Sequence, residues 1–477
     1  MLAVPDDLAR VLHDAPELAR AYLVGGCVRD ALLKLPQKDF DIEVFGVSYE
    51  QLAKALARWG KTDLVGRSFG VVKLTVASGA VYDFTIPRRD SKTSPGHKGF
   101  QITFDPNITP RDAAARRDFT INAMMYDPRR NELLDFFGGA NDLNNKVLRH
   151  TTDAFSEDPL RVLRGMQFAG RFGLTAAPET IALSHSIRHA HGELAVERVR
   201  EEWFKWASRS TLPSAGLRFL VQIGWIENYP ELQAIIGTPQ DPEWHPEGDV
   251  FTHTCHCCDA LVELPEWKQA DEECRIVLSL GVLTHDMGKA TTTQRVERDG
   301  VQRIISPGHE EVGVPIAETF LNRINTPRHI VERIVPLVRN HMAHLHEVTD
   351  RSVRRLARRV APESIEGLCI LMTTDAYGRP PKPRRAPAMI GALRERAAAL
   401  HVQDRAPEPI LKGRHLIELG MTPSPDFGPI LDAAYDAQIE GRFFTLDEAF
   451  TWLAAQPELP LPDSARAALN RPRMDTN

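Results

Sequence analysis

Along the first 150 residues, apolar positions switch between a period of two and helical spacing. Gly25–Gly26 follows the apolar run Tyr22–Val24, and every second residue is apolar from Phe40 to Val44. A period of two predicts strands, whereas apolar residues three or four apart predict helices. We therefore expect a sheet with helices packed on it. The predicted strands include 64–75 and 80–86, and the predicted helices include 1–20, 48–60 and 109–126.

From residue 151 onward, helical spacing dominates. Proline-rich segments at 238–248 and 379–387 interrupt it and are typical of linkers. Proline and glycine predict a flexible loop at 88–99, and the chain is expected to fray from Glu458. The predicted class is α+β, with a mixed-sheet head followed by all-α domains. The predicted domains are a head at 1–150, a neck at 151–240, a third domain at 241–380 and a tail at 381–477.

Composition narrows the class of protein. The chain has 477 residues, a formal net charge of −6, 43% hydrophobic and 26% charged residues, and this length predicts about two to four domains. No apolar run approaches the ~18 residues of a membrane span, and the N-terminus does not fit a signal peptide, so we expect a cytoplasmic protein. Free thiols are favoured over a disulfide scaffold or a zinc site. The clustered cysteines are Cys255, Cys257, Cys258 and Cys274.

Asp39 and Asp41 lie on the polar side of one predicted strand. Residues i and i+2 of a strand point to the same face, so the two carboxylates project together. They repel unless a cation lies between them, and Mg²⁺ takes oxygen ligands while keeping water molecules that phosphate can replace. Gly25–Gly26 lets backbone N–H groups approach a phosphate, and Arg29 adds a guanidinium. The segment Tyr22–Gly46 therefore predicts a site for Mg²⁺ and a triphosphate.

Two further segments carry polar residues at helical spacing. Arg117 can hold phosphate, while Asp118 or Asn122 can reach a ribose hydroxyl. Asp158 and Arg161 lie three residues apart, so together they can hydrogen-bond the edge of a cytosine or adenine base. Taken alone, the first set is more typical of a solvated charge run, and the second of an ion pair within a helix.

These segments together resemble the class II tRNA nucleotidyltransferase and bacterial poly(A) polymerase family. The resemblance covers about the first half of the chain, in the family's order and spacing. It implies that the head is a nucleotidyltransferase palm and that the neck selects the nucleotide. The matching motifs are GGCVRD at 25–30, DFD at 39–41, RRDFTINA at 116–123, DFFGGANDL at 135–143 and EDPLRVLR at 157–164.

The resemblance also implies roles for individual residues. Asp39 and Asp41 would be the catalytic ligands of two Mg²⁺ ions, and Asp158 with Arg161 would select CTP and then ATP. The predicted nucleotide-binding residues are Gly26, Arg29, Arg117, Asp118, Asn122, Asp158, Arg161 and Arg164.

Three features of the head and neck qualify this picture. The loop at 88–99 would correspond to the flexible element needed for adding A. Gln167 departs from the family, which often has arginine there, and this puts one phosphate or tRNA contact in doubt. Asp83 could be a third carboxylate near the metals, although an ordinary strand residue is the better interpretation.

Histidine and aspartate recur through the predicted third domain. Imidazole and carboxylate ligands suit divalent metals, and the order H…HD…D resembles the HD phosphohydrolase superfamily. An HD site that has lost its metal is the alternative, although every expected ligand type is present. The implied ligands of a divalent metal of unspecified identity are His253, His285, Asp286 and Asp375, with His309, His341 and Lys289 as auxiliary residues.

A nucleotidyltransferase head followed by an HD domain resembles the CCA-adding enzymes that also carry phosphohydrolase activity. In those enzymes the HD site acts on 2′,3′-cyclic phosphates and 2′-phosphates. The resemblance implies template-independent addition of CCA to tRNA from CTP and ATP, without membrane association and with an oligomeric state that the sequence does not predict. A poly(A) polymerase and an enzyme adding only CC or only A fit the same motifs, and a silent tRNA-binding factor is the non-enzyme alternative.

Basic segments in the second half are candidates for tRNA contacts. Arg351–Arg359 and Lys382–Arg385 could meet tRNA phosphates, whose binding should weaken steeply with salt, although most such stripes are merely solvated. Residues 410–420 resemble the family's C-terminal segment, which would hold the tRNA elbow by its shape.

Overall fold

The structure is a computed structural model that describes residues 2–37, 39–63, 70–92 and 100–469. The chain divides into two compact units. One comprises Met1–Gln233 with Arg323–Asn325, and the other comprises Ala234–Asn322 with Thr326–Asn477. None of the helices in the described ranges is long and apolar enough to cross a membrane.

A seven-stranded mixed sheet organises the first unit and confirms the predicted α+β class. Its strands are β1 Ala21–Val24, β2 Asp41–Val44, β3 Gly60–Asp63, β4 Val71–Val76, β5 Val81–Thr85, β8 Met125–Asp127 and β9 Glu132–Leu134. Two separate pairs are formed by β6 Arg88–Lys92 with β7 Phe100–Phe104 and by β10 Val147–Leu148 with β11 Thr175–Ala176. The sheet order is β3-β4-β5-β2-β1-β8-β9, and only β2 and β5 pair in parallel.

The middle of this sheet follows the alternation in the sequence. Leu23, Ile42 and Val44 are fully buried, whereas Asp41, on the other face of β2, is exposed. The helix Gly26–Leu32 starts directly after β1. The other helices of this unit are Asp6–Asp14, Tyr49–Leu56, Pro110–Ala115, Gly139–Asn144, Leu160–Phe172, Pro178–Ser186, Val196–Arg209, Pro213–Gln222 and Pro230–Gln233.

The single helix predicted over 109–126 is wrong. The helix ends at Ala115, a 3₁₀ turn covers Thr120–Asn122, and β8 follows. The Asp118 carboxylate explains the break, because it accepts the Phe119 amide at 2.8 Å and so competes with helical hydrogen bonds. Asp118 and Asn122 nevertheless meet, since Asn122 Nδ2 donates to Asp118 Oδ1 at 3.0 Å.

The loop predicted at 88–99 is wrong in its first part. Residues 88–92 form β6, which pairs antiparallel with β7, because backbone pairing with a distant partner decides the conformation of a polar segment. The proline and glycine signals lie at 95–99, and residues 93–99 lie outside the described residues. The strand predicted at 64–75 begins at Val71, and residues 64–69 also lie outside them.

The second unit is largely helical, but not entirely. The strands β12 Gln294–Arg298 and β13 Val301–Ile305 form a hairpin, so the all-α prediction is wrong there. Asp299 and Gly300 both have positive φ, which is typical of a two-residue hairpin turn. The helices are Val250–Glu263, Pro265–Gln269, Glu272–Thr284, Lys289–Thr292, His309–Arg323, Arg328–Asn340, Asp350–Val360, Ile365–Tyr377, Ala388–Ala399, Gly413–Glu418, Phe427–Ile439, Leu446–Ala454 and Asp463–Leu469.

The arginine stripe of the helix Asp350–Val360 packs this helix within its own unit. Arg351 and Arg355 both pair with Glu440, at the end of the helix Phe427–Ile439. The stripe therefore has a packing role, and its contact with tRNA phosphates stays a prediction.

The predicted fraying from Glu458 is wrong over the residues that the structure describes there. Asp463–Leu469 is a helix that buries Ala465 completely, because its apolar side joins the small core of the C-terminal helices. Residues 470–477 lie outside the described residues.

Candidate active sites

A cavity of about 620 Å³ in the first unit has a strongly cationic lining. Nine arginines and one lysine face it against four carboxylates, a formal charge of +6. Positive charge in a cleft concentrates anionic ligands, so the cavity suits a nucleoside triphosphate. The cations are Arg29, Arg88, Arg116, Arg117, Arg161, Arg164, Arg171, Arg198, Lys205 and Arg209.

All eight predicted nucleotide-binding residues line this one cavity. They come from the glycine turn, the segment around the 3₁₀ turn and the first neck helix, which are far apart in sequence. Asp41 also lines the cavity, whereas Asp39 does not. The eight residues are Gly26, Arg29, Arg117, Asp118, Asn122, Asp158, Arg161 and Arg164.

The turn between β1 and the next helix forms one wall. Gly25 has φ of +71°, and a Cβ at this position would lie 3.0 Å from Arg117 Nη1. Arg29 is only 4% exposed; its Nη1 donates to Asn122 Oδ1 at 2.5 Å, and its guanidinium stacks 4.6 Å from the ring centre of Phe172. The absence of a side chain at Gly25 thus leaves the backbone of the turn and the nearby guanidinium groups accessible to an anion.

A buried carboxylate organises the guanidinium groups of the opposite wall. Asp118 accepts from Arg164 Nε at 2.7 Å and from Asn122 Nδ2 at 3.0 Å. Burial alone would raise the pKa of Asp118, but the Arg164 guanidinium and the Asn122 amide outweigh it and hold this pKa below the usual value. The ionised carboxylate therefore fixes Arg164 and, through Asn122, Arg29.

The predicted Mg²⁺ ligands stand beside this wall. Although Asp41 is exposed as a residue, desolvation of its carboxylate raises its pKa; Arg117 opposes this rise, and the charges of Asp83 and Asp39 add to it. Asp83 faces Asp41 across the parallel pair β2–β5 and itself pairs with Lys73 at 3.0 Å. Within the described ranges, these three carboxylates do not converge on one point. Their mutual repulsion beside a cationic cavity fits Mg²⁺, which would relieve it.

Glu43 is a site residue that the sequence analysis missed. It lies on β2, only 3% exposed, and its carboxylate is 3.3 Å from Arg117 Nη2 and 3.6 Å from Arg116 Nη2. Its place two residues after Asp41 puts it on the same strand face, a signal that the alternation contained.

Asp158 and Arg161 line the cavity without pairing with each other. Asp158 precedes the helix Leu160–Phe172, so the predicted shared helix face is wrong, and Pro159 occupies the position before the first helical residue. The Asp158 carboxylate lies 3.3 Å from Arg198 Nη2. Arg161 instead donates to two backbone carbonyl groups, at 2.7 and 2.8 Å. The intrahelical ion pair that was the simpler interpretation does not form.

Gln167 also faces the cavity. It is 2% exposed, and its Nε2 makes no hydrogen bond. The amide therefore offers a donor to a ligand at the position where the family often has arginine.

A second cluster, in the second unit, brings all the predicted HD residues together. The ligand atoms of His253, Cys257, His285 and Asp375 lie within 4.8 Å of one another, and so do those of Asp286, His309 and His341. Asp286 connects the two groups, since Oδ2 is 3.3 Å from His285 Nε2 and Oδ1 is 3.2 Å from His309 Nε2. Lys289 Nζ lies 2.7 Å from Asp286 Oδ2.

Three histidines turn Nε2 toward this cluster. In His285, His309 and His341, Nδ1 lies 2.6–2.8 Å from the carbonyl oxygen three residues earlier, so Nδ1 donates to this oxygen and Nε2 faces the other ligand atoms. His309 Nε2 and His341 Nε2 lie within hydrogen-bond distance, at 3.0 Å, and His285 Nε2 lies 3.3 Å from Asp286 Oδ2. When these imidazoles are neutral, their Nε2 lone pairs meet the carboxylates, so these residues fit a divalent metal.

The pKa shifts of the cluster differ between its members. Burial would lower the pKa of His309, but the Asp286 carboxylate raises it above the usual value, so a metal there would have to displace a proton. Asp286 and His341 are already in their metal-binding forms. Burial would raise the pKa of Asp286, but His285 and Lys289 hold it well below the usual range. Burial and the neighbouring His285 lower the pKa of His341 to about 3. The carboxylate is thus ionised and this imidazole neutral, the forms that bind metals.

Several residues of the HD cluster were missed in the sequence. Glu247 lies in the segment predicted as a linker, yet its Oε1 is 2.7 Å from His253 Nδ1, which turns His253 Nε2 toward Asp375 at 3.0 Å. Arg379 Nη2 donates to Asp375 Oδ1 at 2.8 Å. Arg379 lies two residues beyond the end of the helix Ile365–Tyr377 that carries Asp375, so helical spacing alone does not predict this contact.

Comparisons with known proteins bear on both units. A model of the poly A polymerase head domain matches residues 21–149, and an HD domain model matches residues 250–378. Two solved structures share the fold: a Bacillus stearothermophilus CCA-adding enzyme in complex with CTP and a Thermotoga maritima CCA-adding enzyme complexed with tRNA. Each is 20% identical and covers 95% of this chain; the TM-scores are 0.60 and 0.56, with 98% and 96% of those chains covered.

A closer relative in sequence is the multifunctional CCA protein of Xylella fastidiosa (strain M23). It is 35% identical over 373 residues, which cover 76% of this chain and 84% of the relative. With this identity over most of both proteins, the chain belongs to the family of multifunctional CCA proteins.

Proposed function

We propose that this protein adds CCA to the 3′ end of tRNA from CTP and ATP, and that its HD site hydrolyses phosphate groups at RNA ends. The observation that carries the first activity is the cationic cavity, which gathers all eight predicted nucleotide-binding residues beside Asp41. The names of the relatives support tRNA as the acceptor.

In this proposal the head positions a triphosphate for attack by the RNA hydroxyl. Asp39 and Asp41 hold Mg²⁺ at the cavity rim, and Arg117 and Arg164 hold the phosphates or ribose. Arg29 and the Gly25–Gly26 turn complete the anion site. When bound, Mg²⁺ would assist deprotonation of the 3′-hydroxyl and neutralise the leaving pyrophosphate. The chain's own residues orient the α-phosphate in line with the attacking oxygen.

Nucleotide choice is proposed for Asp158 and Arg161. Both line the cavity, and Asp158 can accept from the exocyclic amino group that cytosine and adenine share. Arg198 pairs with Asp158 and would hold the carboxylate toward the base. Asp118 acts on Arg164 and Asn122 rather than on the base, since its oxygens are already occupied by these partners.

The HD site is proposed to be an active phosphohydrolase with 2′,3′-cyclic phosphates and 2′-phosphates as substrates. Its ligands are His253, His285, Asp286 and Asp375, with His309 and His341 as further ligands. When bound, a divalent metal would lower the pKa of an attacking water and stabilise charge on the phosphate. Lys289 contributes a cation beside Asp286. A cytoplasmic location stays a prediction.

A direct test incubates the full chain with tRNA lacking CCA, labelled CTP and ATP, and Mg²⁺. We expect incorporation by the unmodified chain and at least about a 100-fold loss with Asp41→Asn, because removal of one charged ligand weakens both metal binding and transition-state stabilisation. Absence of incorporation by the unmodified chain would favour a silent tRNA-binding factor.

A further inference from the structure

We propose that Cys257 is a metal ligand of the HD site, which makes one of its two ligand groups a mixed nitrogen, oxygen and sulfur site. The inference rests on the proposed phosphohydrolase and adds a ligand that the H…HD…D pattern does not contain. Cys257 lies one turn after His253 on the helix Val250–Glu263, so the two side chains share a face.

The spacing of the ligand atoms fits a shared ion. Cys257 Sγ lies 3.3 Å from His253 Nε2. A tetrahedral ion with bonds of about 2.0–2.1 Å to nitrogen and about 2.3 Å to sulfur separates these atoms by roughly 3.5 Å. His285 Nε2, on a side chain that is 1% exposed, points into the same group without a hydrogen bond. The space beside the sulfur is therefore lined by an unsatisfied nitrogen ligand.

The sulfur is also fixed in place by backbone packing. A Cβ on Gly378 would lie 2.3 Å from Cys257 Sγ, so only glycine leaves room for the thiol there. Cys255 and Cys258 lie on the same helix and are equally buried. Neither belongs to a ligand group in the part of the chain that the structure describes, so helix geometry singles out Cys257.

Coordination by Cys257 has a definite chemical consequence. The S–H bond breaks, the proton leaves to solvent, and a sulfur lone pair forms the bond to the divalent ion. Thiolate and imidazole ligands favour Zn²⁺, Co²⁺ or Ni²⁺ over Mg²⁺, which prefers oxygen. The HD site and the head would therefore take different ions from the same solution.

The test uses the full chain, stripped of metal and loaded with Co²⁺, and measures bound metal and the sulfur-to-cobalt charge-transfer absorption. We expect the band in the unmodified chain and in Cys258→Ser, and its loss in Cys257→Ser. Zinc affinity should fall by at least about tenfold in Cys257→Ser only. Circular dichroism establishes that the variant is folded; if it is not, Cys257→Ala and the double variant Cys255→Ser/Cys258→Ser provide the comparison.

The outcomes separate this inference from the proposed function. Bound Co²⁺ without the band in the unmodified chain, or a band unchanged by loss of Cys257, overturns the thiolate ligand and leaves the phosphohydrolase intact. A chain that binds no divalent metal in the HD site overturns both.

Discussion

At the scale of single residues, Asp118 links three side chains that line the cationic cavity. Its carboxylate binds Arg164 and Asn122, and Asn122 in turn binds Arg29. Because the carboxylate is buried and ionised, its loss affects both stability and the position of two guanidinium groups.

Asp118→Asn tests this role through stability and its pH dependence. We expect the free energy of unfolding at neutral pH to fall by about 1–3 kcal/mol, since a charged hydrogen-bond acceptor is lost. The folded-state pKa of Asp118 lies below its ordinary value, so its contribution is present above that ordinary value and is lost as pH falls through the folded pKa. Denaturant titrations should therefore show the deficit shrinking in acid, and Asp432→Asn, an exposed control, should show none. A pH-independent deficit would contradict the charged pair.

Nucleotide choice is also decided by single side chains in this account. Asp158→Ala should reduce the preference for CTP and ATP over UTP and GTP by about 10–100-fold, the equivalent of a charged hydrogen bond. The ratio of kcat/KM values measures it, and Asp153→Ala, in the preceding 3₁₀ turn, is the control. An unchanged preference in the first variant would refute the selecting role.

Local motifs made some of these residues predictable from sequence and left others hidden. Gly26, Arg29 and Asp41 follow from spacing within one short segment. Arg198, in contrast, reaches Asp158 across 40 residues, and Glu247 enters the HD site from a segment whose composition is typical of a linker. Such contacts depend on tertiary packing, which no local pattern encodes.

At the scale of elements, the turn from β1 into the helix Gly26–Leu32 shapes one wall of the cationic cavity. Positive φ alone costs about 1–2 kcal/mol for a residue with a side chain. Arg117 packs against Gly25, so a side chain at this position would also meet a guanidinium.

Gly25→Ala and Gly79→Ala separate these two effects. Both glycines have positive φ, +71° and +87°, but nothing lies within 4 Å of a Cβ on Gly79. We expect similar losses of stability, while only Gly25→Ala raises KM for CTP and ATP, by about tenfold or more, because it displaces the Arg117 guanidinium that we propose to hold the phosphates or ribose. Equal KM values for the two variants would argue against triphosphate binding at this turn.

The elements also show where periodicity succeeds and fails. The buried alternation of β2 followed the sequence. The apolar pattern of 109–126 predicted one helix, because the hydrogen bond that the Phe119 N–H donates to the Asp118 carboxylate has no apolar signature. The hairpin β12–β13 carried an Asp-Gly turn signal at 299–300, which the helical pattern around it obscured.

At the scale of the whole molecule, the two sites lie in separate compact units and use different ligands. His285→Ala should abolish hydrolysis of 2′,3′-cyclic phosphates, because it removes one of the proposed metal ligands. CCA addition should stay within about twofold of the unmodified chain, since sites without shared partners behave independently. His256→Ala, on the helix that carries His253, is the control. A parallel loss of nucleotide addition would show that the sites are coupled.

The central claim is that one cationic cavity adds C, C and A to tRNA in that order. The most direct measurement is sequencing of the products formed from tRNA lacking CCA with CTP alone, ATP alone and both nucleotides. We expect two added C residues with CTP alone, negligible extension with ATP alone, and CCA with both. Long A tails formed without CTP would contradict it and identify a poly(A) polymerase.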